Sequence, residues 1–337
     1  MRRRLGMRRQ TKWWVMLAVL LAGATCVVAT VKESDGLEAA RRAYEGSDYA
    51  RAVLELQAAA VKEPQNGEVQ LLLTKSYLEL QEREAAITSA ERAVTIEPQS
   101  SVYHEWLGRA YGDKADHSSV FTAPGLARKT HREFEIAVQL DPKNYAARQA
   151  LIEYYCEAPG IVGGGEEKAK PEIERLLALD AAEGHYATGI CHKQKKDFAA
   201  AGAEFQLALE NHPQRAELIY DIGEYAMRHS EGDQLKEVAD VGEGVAPADP
   251  RGMFYRAVSL ILKNEKLEEA ERLLQGYLRK APKRAEYPHY ATAHEWLGRS
   301  YTNKGDKQAA EKEYQTALQL DAKDKSAREA LKRLEKN

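Results

Sequence analysis

The sequence predicts an all-α protein, an α-solenoid of stacked helix pairs finished by a C-terminal helix. Three observations predict it. Prolines recur at the length of a two-helix unit: Pro64 and Pro98 are 34 residues apart, Pro213 and Pro247 are 34 apart, and Pro247 and Pro282 are 35 apart. Small residues hold fixed offsets from these prolines. Ala59, Ala93, Ala137 and Ala208 lie five positions before a proline, and Ala52, Ala86 and Ala201 lie seven before that. At helical offsets such residues let two helix backbones approach, and the proline starts the next unit. The composition agrees: 337 residues, 44% hydrophobic and 30% charged, are globular but too many for a single small core.

The N-terminus reads as a targeting segment. Arg2, Arg3, Arg4, Arg8, Arg9 and Lys12 precede the apolar run Trp13–Ala24, and small residues follow at Ala22, Ala24, Val27 and Ala29. A basic start, apolar middle and small-residue end are the three parts of a secretory signal. No charge appears from Trp13 to Val31, a length that also spans a bilayer. A cleaved signal is favoured over an uncleaved anchor for residues 1–29, because Gly23, Thr25, Cys26 and Thr30 dilute the second half of the run. Thr25 before Cys26 disfavours lipidation. The basic flank stays inside, so the remainder is expected outside the cytoplasmic membrane: periplasmic, secreted or tethered to the membrane's outer side.

Beyond this segment the chain carries 43 basic and 52 acidic residues. That excess of acid disfavours a nucleic-acid partner. Three cysteines exclude a disulfide scaffold and a four-thiolate metal site.

The rest reads as eight units: 33–66, 67–100, 101–144, 145–181, 182–215, 216–249, 251–284 and 291–324, in the register that the family resemblance given below implies. One amphipathic helix pair cannot bury both of its faces, so the pairs must stack. The third unit holds about ten extra residues around Gly112–Gly125, and the fourth holds the glycine-rich stretch Ala158–Gly165. Both are expected to interrupt the turn between helices, where long loops project. In the sixth unit Leu235 stands where a small residue is expected. Gly242 falls within that unit's second helix, a weakness for an isolated helix. Residues 325–337 predict the capping helix: Ala327, Leu331 and Leu334 share one face opposite Arg328, Lys332 and Arg333.

These motifs resemble the tetratricopeptide repeat family. Leu107-Gly108…Tyr111 and Leu297-Gly298…Tyr301 match its first helix. Ala310, Tyr314 and Ala317 continue the second match, with Ala322 in place of proline. Residues 182–215 match through Gly189, Ala201, Phe205, Ala208 and Pro213, and residues 67–100 through Leu73, Tyr77, Ala86, Ala93 and Pro98. The resemblance implies a right-handed solenoid of helix-turn-helix units and non-catalytic protein binding. Tyr154, Tyr155 and the Ala158-Pro159-Gly160…Gly164-Gly165 segment resemble bacterial envelope members, secreted or membrane-anchored.

Candidate chemistry is sparse. Gly160 and Gly165 have P-loop spacing, but Glu166 and Glu167 occupy the lysine and hydroxyl positions and would repel phosphate, leaving a connecting loop with glycines at positive φ. His104-Glu105 and His294-Glu295 open like a zinc helix, but Gly108 and Gly298 replace its second histidine. His104, His185 and His294 share one repeat position in separate units and are expected to pack. Cys156 and Cys191 fall at positions 12 and 10 of neighbouring first helices. Two residues turn a helix by about 200°, so separate thiols are favoured over a bridge. No catalytic set, metal site or cofactor is predicted.

What remains is a groove. The resemblance places repeat positions 5 and 9 on the concave face. Position 9 gives Arg41, Lys75, Arg109 and Arg299, and position 5 gives Tyr186, Tyr220 and Tyr255. Basic ends around an aromatic centre suit an extended segment bearing carboxylates and apolar side chains. The family's Lys–Asn carboxylate clamp is absent, which disfavours a chaperone-tail co-receptor. Packing of the tyrosines between helices is the competing expectation. The predicted function is a protein-binding scaffold of the bacterial envelope, whose partner is another protein or an extended peptide. It touches membrane only through an uncleaved N-terminal segment. The alternative is an accessory of polysaccharide export or wall remodelling that contacts glycan. A glycan groove calls for concave tryptophans, and only Trp106 and Trp296 lie outside the N-terminal segment. An enzyme is disfavoured.

Overall fold

The computed structural model describes residues 35–284 and 286–336. The expected signal or anchor lies outside these residues. Among the described residues there are seventeen α-helices and no strand, and no helix is long and apolar enough to cross a membrane.

The helices run α1 (Asp35–Glu45), α2 (Tyr49–Lys62), α3 (Gly67–Glu79), α4 (Arg83–Ile96), α5 (Ser101–Asp116), α6 (Ala123–Leu140), α7 (Tyr145–Glu157) and α8 (Glu166–Leu179). They continue as α9 (Ala181–Gln194), α10 (Phe198–Glu210), α11 (Ala216–His229), α12 (Gly232–Val245), α13 (Arg251–Lys263) and α14 (Leu267–Lys280). The last three are α15 (Tyr290–Lys304), α16 (Lys307–Leu320) and α17 (Lys325–Lys336). Local chemistry sets the starts. Asp48, Asn66, Ser100, Asn144, Asp180, Asp197 and Asp306 each accept a hydrogen bond from a first-turn amide of the helix they precede.

Consecutive helices pack as antiparallel pairs, and three of the pairs lock at a glycine against an aromatic ring. A Cβ on Gly108, Gly189 or Gly298 would lie 2.6, 2.5 or 2.6 Å from the ring of Phe134, Phe205 or Tyr314 on the pair's second helix. These aromatics are buried, together with Ala137, Ala208 and Ala317. The expected Leu-Gly and small-residue positions are thus the contact itself. On α17, Ala327 is fully buried beside Tyr314 and Ala317, and Leu331 and Leu334 pack against that cluster, so α17 covers the apolar end of α16.

Odd-numbered helices also touch one another: α1 with α3, α3 with α5, α5 with α7, α7 with α9, α11 with α13 and α13 with α15. Among the even-numbered helices only α10 and α12 pack comparably. The closer approach of the odd helices makes their side the inner, concave one.

Two expectations are corrected. The extra residues of the third unit do not form a long loop; they lengthen α5 to 16 and α6 to 18 residues, joined by residues 117–122. Cys156 and Cys191 are bridged, with their Cα atoms 5.3 Å apart. The helical start of α9 at Ala181 reduces the offset between the cysteines to one residue, and α7 and α9 touch directly. The glycine stretch behaves as a connector. Gly163 and Gly165 have φ of 104° and 131°, and Tyr154 donates its hydroxyl to the Val162 carbonyl at 2.7 Å.

Candidate functional site on the concave face

The helix motif His-Glu-Trp-Leu-Gly-Arg occurs twice, on α5 and α15, and builds the same local device. Glu105 and Glu295 are buried. Each pairs with the arginine four residues on, Arg109 at 2.9 Å and Arg299 at 3.2 Å. Each also accepts a hydrogen bond from the next repeat, Glu105 from Asn144 at 3.1 Å and Glu295 from Ser326 at 2.6 Å. The arginines lie over the tryptophan of their own motif, at 5.6 Å for Arg109 and Trp106 and 4.4 Å for Arg299 and Trp296.

The α5 copy carries one addition. Lys75 of α3 places its ammonium 4.5 Å from the centre of the Trp106 ring, so two cations share one indole. Among the described residues no carboxylate lies within ion-pair distance of Lys75. Desolvation lowers the Lys75 pKa, and nearby Arg109 and Arg41 push it the same way against Glu105 and Glu68. Arg41 pairs with Glu68 at the edge of this cluster. The sequence-predicted Arg41, Lys75 and Arg109 therefore form one cationic patch across α1, α3 and α5. Arg299 stands apart, on α15.

The expected aromatic centre is corrected. Tyr220 and Tyr255 are each 2% exposed and stack on each other at 5.8 Å, inside the core. Glycines make the room: a Cβ on Gly242 would meet the Tyr220 ring at 2.7 Å, and one on Gly223 the Tyr255 ring at 2.9 Å. Gly242, expected to loosen its helix, is where Tyr220 docks. Tyr186 is also buried but reaches the inner face with its hydroxyl, which donates to Asp221 at 3.0 Å.

The centre of the concave face is acidic instead. Glu153, Tyr186 and Asp221 line a cavity of about 120 Å³ with Arg109 and Gln149, and Glu224 extends the acidic lining beyond it. Glu153 and Asp221 have accessible side chains within this narrow space, and desolvation raises both pKa values. Glu183 beside them is buried and held by Arg215 at 2.6 Å. Sequence reasoning missed these carboxylates; Glu153 and Glu224 occupy the same repeat position as Lys75, with the opposite sign.

The first repeat meets the end of the seventh. Arg284, between α14 and α15, donates to the Tyr44 carbonyl of α1 at 3.3 Å. Tyr49, Glu79, Tyr287 and Tyr290 line a space of about 660 Å³ at this junction.

The histidines pack, each against the second helix of its own pair: His104 with Glu133 at 2.6 Å, His185 with Glu204 at 2.8 Å and His294 with Glu313 at 2.6 Å. Among the described residues no group of three His, Cys, Asp or Glu side chains is arranged to hold a metal ion.

No curated protein sequence matches this chain. Solved structures similar to it include a thermophilic tetratricopeptide repeat protein of Thermus thermophilus, at 19% identity over 56% of this chain and 96% of that one, with a TM-score of 0.46. A tetratricopeptide repeat protein of Parabacteroides merdae is 14% identical over 90% of this chain and 98% of its own, with a TM-score of 0.39. The Cut9–Hcn1 hetero-tetramer of APC/C contributes a chain 15% identical over 85% of this one and 52% of its own, with a TM-score of 0.47. The tetratricopeptide repeat family model matches residues 37–111, 167–216 and 255–327, well over half the chain. The protein belongs to the tetratricopeptide repeat family.

Proposed function

We propose that the chain is a non-catalytic scaffold of the bacterial cell envelope that holds an extended segment of a partner protein along its concave face. Tetratricopeptide repeats indicate protein–protein interaction in general. The observation that carries the finer reading is the separation of charge along that face: Arg41, Lys75 and Arg109 at one end, Glu153, Asp221 and Glu224 in the middle. A partner segment with carboxylates followed by basic residues complements both zones in one orientation only, and such patterning sets specificity and on-rate. The two cations on Trp106 present fixed donors to a carboxylate.

Two observations support a location outside the cytoplasm: the basic-then-apolar N-terminal segment, and the Cys156–Cys191 bridge, which persists in an oxidising compartment. The glycan reading gains nothing from the tryptophans, since Trp296 is 4% exposed and Trp106 faces two cations.

Photo-crosslinking in cells from position 75 or 149, followed by mass spectrometry, tests the proposal. It expects one recurring envelope protein, joined through an acidic stretch at position 75 and a basic one at 149. Cross-links only to cytoplasmic proteins, or to glycan, would refute it.

A further inference from the structure

The α5–α6 hairpin has a feature that concave-face binding does not use. Its turn, residues 117–122, presents Val120 at 79% and Phe121 at 91% exposure. Both belong to the insertion that sets this repeat apart. Neither helps the pair to pack, which relies on Thr130, Phe134 and Ala137 farther along α6.

Just beyond the turn, α6 carries Arg128, Lys129 and Arg132. Their spacing of one and four residues sets them on one helical face, and all three are exposed. Among the described residues none has a carboxylate within ion-pair distance, although Lys129 also lies 4.7 Å from the Tyr111 ring centre. The acids of α6 are engaged elsewhere, Glu133 with His104 and Glu135 with His131. On α5, Asp113 pairs with Arg83 and Lys114 with Glu84, which leaves Asp116 as the acid nearest the turn. In a chain rich in acid, this hairpin is locally basic.

We propose that the hairpin tip docks onto an anionic lipid bilayer, with Val120 and Phe121 in the interface and Arg128, Lys129 and Arg132 at the headgroups. The axial distance supports it. At 1.5 Å per residue the three basic residues lie roughly 10–16 Å from Phe121, the depth separating acyl boundary from headgroup charge. The shape supports it too. Two adjacent apolar side chains on a convex turn suit a soft interface, whereas protein anchors sit in pockets ringed by further contacts. This gives the folded part of the chain a membrane contact of its own, separate from the expected N-terminal segment.

The test uses the full chain with Cys26→Ser and His117→Cys, an environment-sensitive fluorophore on the new thiol, and the Cys156–Cys191 bridge intact. Vesicles of equal phosphatidylglycerol and phosphatidylcholine are compared with phosphatidylcholine alone. The apolar N-terminal segment binds either kind, but a dye beside the tip reports the tip alone. The expected result is a blue shift with anionic vesicles and none with neutral ones. Each basic residue near an anionic leaflet contributes about a factor of five, so Arg128→Glu, Lys129→Glu and Arg132→Glu together should weaken the response about a hundredfold or more. Val120→Ser with Phe121→Ser should abolish the shift while circular dichroism stays unchanged. No shift with anionic vesicles at low salt overturns the proposal. So does an equal shift with neutral lipid, or a shift that appears only when a partner protein is added.

Discussion

The Arg284 guanidinium lies 5.4 Å from the centre of the Tyr44 ring and donates to the Tyr44 carbonyl, joining residues 240 positions apart. Repeat proteins are built from neighbour contacts, whereas this contact ties the first repeat to the segment that joins α14 and α15.

A contact of this kind contributes about 1 kcal/mol, which fixes how far its loss moves the equilibrium. Arg284→Glu should raise the open fraction about fivefold. Spin labels on the α1–α2 turn and on the segment joining α14 and α15 should give a broader, longer distance distribution in the variant. An unchanged distribution would mean that the curvature of the stack alone holds the ends together.

The protein should gain stability as pH falls from about 8 toward 5. Desolvation raises the pKa of Glu79, Glu153, Glu183, Asp221 and Glu295. A carboxyl whose folded pKa lies above its unfolded value binds more protons in the folded state. It therefore favours folding on the acid side, and that advantage is lost as pH rises through the folded pKa. Exposed Glu84, Glu166 and Asp233 shift the opposite way through hydrogen bonds from their lysine partners, and Glu268 through a backbone hydrogen bond and then Lys304, so they take stability away as pH falls below about 4. Asp221→Asn keeps an acceptor for Tyr186 and should raise the Tm at pH 8 more than at pH 5. Thermal melts across that range check it; an equal change at both would show that Asp221 titrates as in water.

Removing the Cys156–Cys191 bridge should destabilise the joint between the fourth and fifth repeats by about 2–4 kcal/mol, the range for a loop of this length. Hydrogen exchange on Cys156→Ser with Cys191→Ser should show lost protection in α7 to α9 first. Uniform loss along the chain would contradict a local role.

His104 should tolerate arginine and reject an apolar ring. Its Nδ1 faces Glu133 and its Nε2 lies 3.1 Å from the Pro98 carbonyl, two acceptors that call for two N–H donors. Arg148, one repeat on, meets the equivalent pair, Glu172 and the Pro142 carbonyl. His104→Arg should melt within about 1 kcal/mol of the parent, whereas His104→Phe strands Glu133 and should cost about 1–3 kcal/mol. Equal melting of the two variants would show that the ring merely fills space.

The helix pairs were legible because their contacts are periodic. A glycine such as Gly108 and an aromatic such as Phe134 recur at repeat spacing, and the pattern states its own geometry. The cationic patch was half legible: Arg41, Lys75 and Arg109 share one repeat position, but the sequence does not show Lys75 reaching Trp106. Tyr220 and Tyr255 were misread because their direction depends on Gly242 and Gly223, which lie on other helices. The cysteine bridge turned on a helix start one residue earlier than the spacing implied. The Arg284–Tyr44 contact leaves no mark in the sequence, since it follows from curvature summed over seven repeats.

In the proposed function, charge separation on the concave face selects the partner segment. Fluorescence anisotropy with two labelled peptides of one composition tests it most directly, one with glutamates in one half and lysines in the other, the second with them alternating. The expected result is tighter binding of the first, weakening as salt rises, and at least a tenfold loss with Lys75→Glu and Arg109→Glu but little with Arg299→Glu. Equal binding of the two peptides, or no loss in the Lys75→Glu, Arg109→Glu variant, would contradict it.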